Sequence, residues 1–345
     1  MRLNIGFTGI SGMLGKNFLD FYTQNENLKE SYKIIGISRN VPQKLIEKYK
    51  DFKDDIEFRN INYFDNENIK RALESIDILI HAAGITKANH YSIFYDGNVK
   101  VSQNLVNLIE KEKLPIKSFI YISTQSVLGP SDLVKNNENI YLDEEREYNP
   151  ISSYGKSKAE AEKMLRNSRI NWVIVRFPTI IGKYEMDSLT LFKFANHGIT
   201  IDTAWAEFTL SYIMAEDAIN LIFILIDKIL TNYGLINKNI FHFCYDEPIK
   251  IKDFMIQIAK MSSKKKVINF SIPKFVFKLA ASIVSFVSNI YPNNIILNKE
   301  KVNEFLHTNW LLSNSKTKKI LSLDKIEENA SLKEIYKWYK DEGLI

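Results

Sequence analysis

The sequence predicts an α/β fold, a parallel sheet doubly wound by helices, followed by a smaller, mostly helical C-terminal lobe. Three observations carry this. Apolar strand-like runs alternate with helical patterns through the first half of the chain. Gly9, Gly12 and Gly15, spaced three apart, turn the first run into the first helix. Beyond Pro178 the alternation weakens and helical patterns dominate.

The runs predict strands at Leu3–Thr8, Tyr32–Ser38, Ile56–Ile61, Ile76–His81, Ile116–Ser123 and Trp172–Phe177. Between them, periodic apolar positions predict helices at Leu14–Gln24, Asn66–Ser75, Val99–Glu112 and Ser153–Asn167. Later helices are expected at Glu216–Leu230, Ile251–Met261, Val276–Ser288 and Leu332–Asp341, around one more strand at Ile240–Phe243. The expected division is a Rossmann-type domain over residues 1–182 and a substrate-binding lobe over 183–345. Residues 238–246 are expected to return a strand to the sheet.

Composition sets the outer bounds. At 345 residues and 45% hydrophobic the chain can bury one large core or two lobes. A net charge of +5, with acids scattered among the lysines, reads as solvated faces before a nucleic-acid surface, and no nucleic-acid partner is expected. The one cysteine, Cys244, permits no internal disulfide and sits in an apolar run, which fits a buried thiol in a reducing, cytoplasmic compartment. The apolar stretch Phe275–Tyr291 is interrupted by Lys278, several serines and Asn289, and falls short of the about 20 residues a membrane-spanning helix needs. It reads as a helix covering the second lobe.

Two motifs carry chemistry. A strand-to-helix turn that must let backbone N–H groups approach a pyrophosphate has no room for a Cβ at its close positions. The turn from Thr8 through Gly9, Gly12, Met13 and Leu14 to Gly15 meets that need. The second motif is Tyr154-Gly155-Lys156-Ser157-Lys158, in which helical spacing puts a phenol and an ammonium on one face. A free phenol is a poor base at neutral pH, but a nearby ammonium and a cationic nicotinamide both favour the phenolate. Tyr154 is then able to exchange a proton with an alcohol or ketone as hydride moves. The small polar residues Ser123-Thr124-Gln125-Ser126 at the end of the fifth strand face the crevice where a substrate oxygen would lie.

With these residues in view, the chain resembles the extended short-chain dehydrogenase/reductases over nearly its whole length. The resemblance rests on the Thr8–Gly15 turn, His81-Ala82-Ala83-Gly84, Asn98, Ser123-Thr124, the Tyr154/Lys158 pair, Arg176-Phe177-Pro178 through Gly182, Glu216-Asp217-Ala218, and the segment Trp310 to Leu321. It implies that Tyr154 is the acid/base, Lys158 its electrostatic partner and ribose ligand, Thr124 the substrate-oxygen binder and Asn98 the support of a proton-relay water. It further implies a cofactor site drawn from Thr8, Gly9, Gly12, Met13, Leu14, Gly15, Ser38, Arg39, Asn62, His81, Ala82, Ala83, Gly84, Ser123, Lys158 and Phe177, and no metal.

Departures from the family pattern narrow the activity. Gln125 and Ser126 stand where family dehydratases carry the acidic pair that drives loss of water, so dehydration is disfavoured. Ser38-Arg39 stands where NAD-using members often carry an acid, and suits the 2′-phosphate of NADP better, with NAD the other option. Asn62 replaces an Asp that commonly meets the adenine, and Leu210-Ser211 stands where many nucleotide-sugar members place a diphosphate-gripping Arg. The leading expectation is a reductase or epimerase of a nucleotide-linked keto-sugar. The alternatives are an NADPH-dependent ketone reductase of the dihydroflavonol-reductase/3β-hydroxysteroid-dehydrogenase type, and a non-catalytic cofactor sensor. Apolar residues on helices Val99–Glu112 and Ser153–Asn167 (Val99, Leu105, Val106, Leu108, Ile109; Ala159, Ala161, Met164, Leu165) suggest a two-fold homodimer, as in many family members.

Overall fold

A computed structural model describes residues 2–133, 140–262, 266–276 and 299–345. The expected helix at Val276–Ser288 lies almost wholly outside them. The strands are β1 (Leu3–Thr8), β2 (Tyr32–Ser38), β3 (Ile56–Asn60), β4 (Ile78–His81), β5 (Ser118–Thr124), β6 (Trp172–Phe177), β7 (Thr179–Ile181), β8 (Ile199–Thr203), β9 (Thr209–Leu210), β10 (Tyr212–Met214), β11 (Asn239–His242), β12 (Ile249–Lys250), β13 (Ile268–Ile272) and β14 (Asn309–Trp310). Seven of them form one sheet in the order β11-β6-β5-β4-β1-β2-β3, and every pairing within it is parallel.

A parallel sheet covered on both faces needs apolar side chains pointing both ways. Along β4, Ile78 and Ile80 join one apolar cluster and Leu79 the other. The same alternation holds in β6, with Val173 and Val175 against Trp172 and Ile174. The first cluster packs under the helix Met13–Thr23. There Phe18 contacts Phe7 at 4.7 Å and stacks on Phe223 at 5.0 Å between ring centroids. Phe223 belongs to the helix Ala215–Thr231, so this segment packs against the first helix although it lies beyond residue 182. β11 pairs with β6 from Asn239↔Val173 to His242↔Arg176, which returns the chain to the sheet edge.

The second face carries the helices Asn66–Ala72, Val101–Glu112 and Ser153–Arg166. Asp65 caps the first by accepting from Glu67 N and Asn68 N, and Ser152 caps the third by accepting from Gly155 N at 3.3 Å. Val99, Leu105, Val106, Leu108, Ile109, Ala159, Ala161 and Leu165 are all buried within the one chain. These eight positions offer no free surface and Met164, the ninth, is half-buried, so the dimer expectation draws little support from the set. Gln103, Asn107, Lys156, Glu160 and Lys163 face solvent on the same helices.

After β7 the chain builds smaller pieces: β8 with β13, β10 with β7, and β9 between β12 and β14. The helices Leu189–Asn196, Ile251–Met261 and Leu332–Asp341 pack there, with Phe192 contacting Tyr339 at 4.5 Å and Phe254 at 5.8 Å. Among the described residues no helix is long and apolar enough to cross a membrane.

Candidate active site

The order of the sheet reverses between β1 and β4, and the loops leaving their carboxyl ends diverge there to open a crevice. Gly9 N donates to Ile37 O at 2.8 Å, tying the turn to β2. Gly9 adopts φ +77°, and a Cβ there would stand 2.9 Å from the Ala83 backbone. Gly12 then opens the helix Met13–Thr23, whose first N–H groups, at Met13, Leu14 and Gly15, have no intrahelical acceptor. A cleft of about 540 Å³ lies over this turn, bounded by Gly9, Ser11, Gly12, Ser38, Arg39, Asn62, Ala82, Ala83 and Gly84 among others. Ser11 Oγ and Ser38 Oγ are 2.8 Å apart, while Arg39 is exposed at the rim.

Several expected cofactor residues stand behind the cleft wall. Thr8 and His81 are fully buried, with Thr8 Oγ1 2.7 Å from His81 Nδ1 and Ser102 Oγ 3.0 Å from His81 Nε2. Burial pulls the His81 pKa down to about 3, so the ring is neutral and joins β1, β4 and the helix Val101–Glu112. Phe177 is 2% exposed and meets Phe243 edge-on at 5.6 Å, so its side chain belongs to the core. Ser123 is also buried, with its hydroxyl donated to Glu162 Oε1 at 2.5 Å.

Asn98 is tied to the loop after β4. It lies in a wide π-type turn, Tyr95–Lys100, before the regular helix. Its Oδ1 accepts from Ile85 N at 2.7 Å, and its Nδ2 donates to Ile85 O at 3.0 Å and Ser157 Oγ at 2.9 Å. Both amide donors are thus used within the protein, and the side chain straps the loop after β4 to the helix Ser153–Arg166. Ser157 Oγ in turn donates to Tyr154 O at 2.8 Å.

That helix brings Tyr154 and Lys158 beside Thr124 at the carboxyl end of β5, next to the cleft and not among the residues that bound it. Thr124 lies near enough to the Tyr154 phenol to favour its charged form, and Phe94 packs 6.3 Å from its ring. Lys158 is 5% exposed; its Nζ donates to Ile122 O at 2.6 Å and lies 4.0 Å over the Tyr121 ring. In the ligand-free chain burial pushes the Tyr154 phenol up to about 12, outweighing Thr124, which favours the phenolate, with Glu304 and Asp187 adding to the rise. Burial also pulls Lys158 down to about 7, opposed by Glu162. The lysine is anchored on β5, so in the ligand-free chain the phenol stays neutral.

Behind the lysine is an unforeseen cluster. Arg176 and Glu162 are 1% and 0% exposed and form a two-pronged ion pair, with Arg176 Nη2 donating to Glu162 Oε2 at 2.7 Å and Nε to Oε1 at 3.1 Å. Tyr148 Oη donates to Glu162 Oε2 at 3.0 Å. Two signals in the sequence point to this pair. Glu162 stands four residues after Lys158 on the same helix face, and Arg176 is a charge inside an otherwise apolar strand, where it requires a buried partner. Tyr63, Phe64 and Ile93 are further cleft residues outside the glycine and tyrosine motifs, and Ser11 is a further one within the glycine turn.

A parallel sheet with a glycine turn at its switch point and a tyrosine–lysine helix beside it defines a dinucleotide-binding enzyme fold of the short-chain dehydrogenase kind. A family model described as the NAD dependent epimerase/dehydratase family matches residues 5–229, and the chain belongs to that family. Among curated proteins it is similar to a dTDP-D-glucose 4,6-dehydratase of Dictyostelium discoideum, 30% identical over 151 residues, covering 39% of this chain and 34% of that one. It is also 27% identical over 168 residues, 48% of this chain and 44% of the relative, to an N-acetyl-alpha-D-glucosaminyl-diphospho-ditrans,octacis-undecaprenol 4-epimerase of Escherichia coli O157:H7. The matched stretch spans less than half the length of either relative. Among solved structures, UDP-glucuronic acid 4-epimerase of Bacillus cereus with NAD superposes at TM-score 0.71 and 19% identity, covering 98% of this chain and 99% of that one. A dTDP-glucose 4,6-dehydratase of Bacillus anthracis with NAD gives 0.71 at 17% identity, covering both chains fully. At such identities these two establish the shared fold.

Proposed function

We propose that this chain reduces or epimerises a nucleotide-linked keto-sugar, with Tyr154 as proton donor and acceptor and NADP as the preferred cofactor. The observation that carries the reading is the placement of the Tyr154 phenol beside Thr124 at the carboxyl end of β5, with the buried Lys158 one helical turn on. The cleft fits a dinucleotide. Apart from Gly9 O at 3.1 Å, a Cβ on Gly12 would meet nothing, so its space is free for a phosphate beside the helix N-terminus. When bound, the nicotinamide supplies the hydride acceptor or donor.

The chain's own groups supply the rest. Thr124 orients a substrate oxygen against the Tyr154 phenol. As an acid, Tyr154 gives its proton to the oxygen of a ketone; in the reverse direction it takes that proton back. Lys158, held at Ile122 O, places positive charge on the same side of the crevice and favours the phenolate when it is needed. Gln125 and Ser126 provide no carboxyl group to eliminate water, which sets the reading apart from dehydration. Arg39 at the rim suits the 2′-phosphate through a charge-assisted pair.

The test joins cofactor titration to a substrate screen. UDP-, GDP- and dTDP-linked 4-keto sugars are compared with simple ketones, using the parent and Tyr154→Phe. The variant should keep cofactor affinity and lose at least about 100-fold in turnover. Near-normal turnover of the variant would overturn the role given to Tyr154, and activity on simple ketones alone would overturn the substrate class.

A further inference from the structure

We propose that Glu162, clamped by Arg176, Ser123 and Tyr148, is a positioning residue that favours the ammonium form of Lys158 beside Tyr154. The inference rests on the Tyr154–Lys158 reading and deepens it. Tyr154, Lys158 and Glu162 follow one another at four-residue spacing, so all three lie along one face of the helix Ser153–Arg166.

The surroundings of Lys158 make such a device necessary. From β5, the lysine meets the Tyr121 ring and the Ile122 carbonyl; from β4, the neutral His81 lies close enough to feel its charge. Tyr154 and Glu162 are the titratable groups on its own helix. One neutral carbonyl and one aromatic face are poor replacements for water around an ammonium. Glu162 is the anionic group that opposes the effect of burial. It has no freedom to move toward solvent: Arg176 reaches it from β6, Ser123 from β5 and Tyr148 from the loop before the helix. The clamp fixes the carboxylate one turn behind the lysine.

The experiment measures the protonation of Lys158 directly, by its rate of trace acetylation against pH, read by mass spectrometry of the intact-chain digest. No substrate or cofactor is present. Glu162→Gln alone leaves Arg176 buried without its partner, so Glu162→Gln/Arg176→Met removes both charges together. The labelling midpoint should fall by about one pH unit in the double variant. Glu162→Asp keeps the ion pair but draws the carboxylate back by one methylene, and should show a smaller fall. A second readout is NADPH affinity, which should weaken in the double variant at pH 8 and not at pH 6. If the double variant does not melt cooperatively, Glu162→Asp decides. An unchanged midpoint in a folded variant overturns the proposal. Should the midpoint move while Tyr154→Phe retains turnover, the electrostatic role stands and the catalytic reading falls.

Discussion

Replacing Gly12 by Ala should separate cofactor binding from folding. Gly12 has φ −77° and ψ 178°, extended values open to any residue, so the substitution adds no backbone strain. Its added Cβ would meet only Gly9 O, at 3.1 Å. Reduced freedom in the unfolded chain contributes about 0.4–1 kcal/mol of stability, and the poorer N-cap removes a similar amount. Stability should therefore change by no more than about 1 kcal/mol. The methyl group, however, occupies the space beside the first-turn N–H groups. Loss of two charge-assisted hydrogen bonds to a pyrophosphate, at about 1.5 kcal/mol each on the low side, amounts to about 3 kcal/mol, which is more than 100-fold in Kd. NADPH fluorescence titration beside a thermal melt reads both quantities. Gly15→Ala is the contrasting case, because its Cβ would lie 2.4 Å from Ile10 O and 2.5 Å from Ile10 Cα, both backbone atoms that cannot swing away. That variant should lose stability as well as binding. A Gly12→Ala protein that melts like the parent and binds NADPH within about threefold would refute the placement of the pyrophosphate.

Arg39→Asp should turn a preference for NADPH into one for NADH, measured as the ratio of dissociation constants; equal affinities in the parent, unchanged by the substitution, would remove the argument for NADP. His81 and His242 are both buried with pKa values pulled down to about 3. Their folded values lie below the unfolded one, so the stability they contribute is present above about pH 6.5 and lost as pH falls toward 3. Urea midpoints between pH 7 and pH 4 should decline, and His242→Gln should decline less over that interval. Phe223→Ala should lower stability by about 3–5 kcal/mol, since the ring stacks on Phe18 between two helices of the core, and a loss below about 1 kcal/mol would contradict that packing.

The sheet was legible in the sequence for a physical reason. Strands buried on both faces read as unbroken apolar runs, and β2 and β6 match theirs end to end. Where polar residues belong to a strand's hydrogen-bonded ladder or an apolar residue precedes it, the ends move by one or two positions. β4 begins at Ile78 and not Ile76, because Ile76 sits in the preceding loop with its side chain packed over Gly6. The π-type turn at Tyr95–Lys100 had no such signature, since a helix that widens by one residue keeps nearly the same apolar periodicity.

The site divides along the same line. Spacing along a helix identifies which residues share a face, so Tyr154 and Lys158 were found together, and Glu162 lay within reach of the same argument. Spacing does not give burial. The expectation that Lys158 and a cationic nicotinamide together draw the Tyr154 phenol down concerns the site with its cofactor bound. In the folded chain Nζ lies against Ile122 O and the Tyr121 ring, and desolvation works on both groups. The two shifts run in opposite directions because burial disfavours whichever form is charged, the phenolate in one case and the ammonium in the other. Left to burial alone, the pair would settle as neutral phenol and neutral amine, a combination able to donate a proton but poorly able to take one back. For the proposed exchange, in which Tyr154 also takes a proton back, charge from outside the pair is needed. Among the described residues the carboxylate of Glu162 is such a source, and its partner Arg176 on β6 accounts for an arginine in a strand otherwise apolar from Trp172 to Phe177.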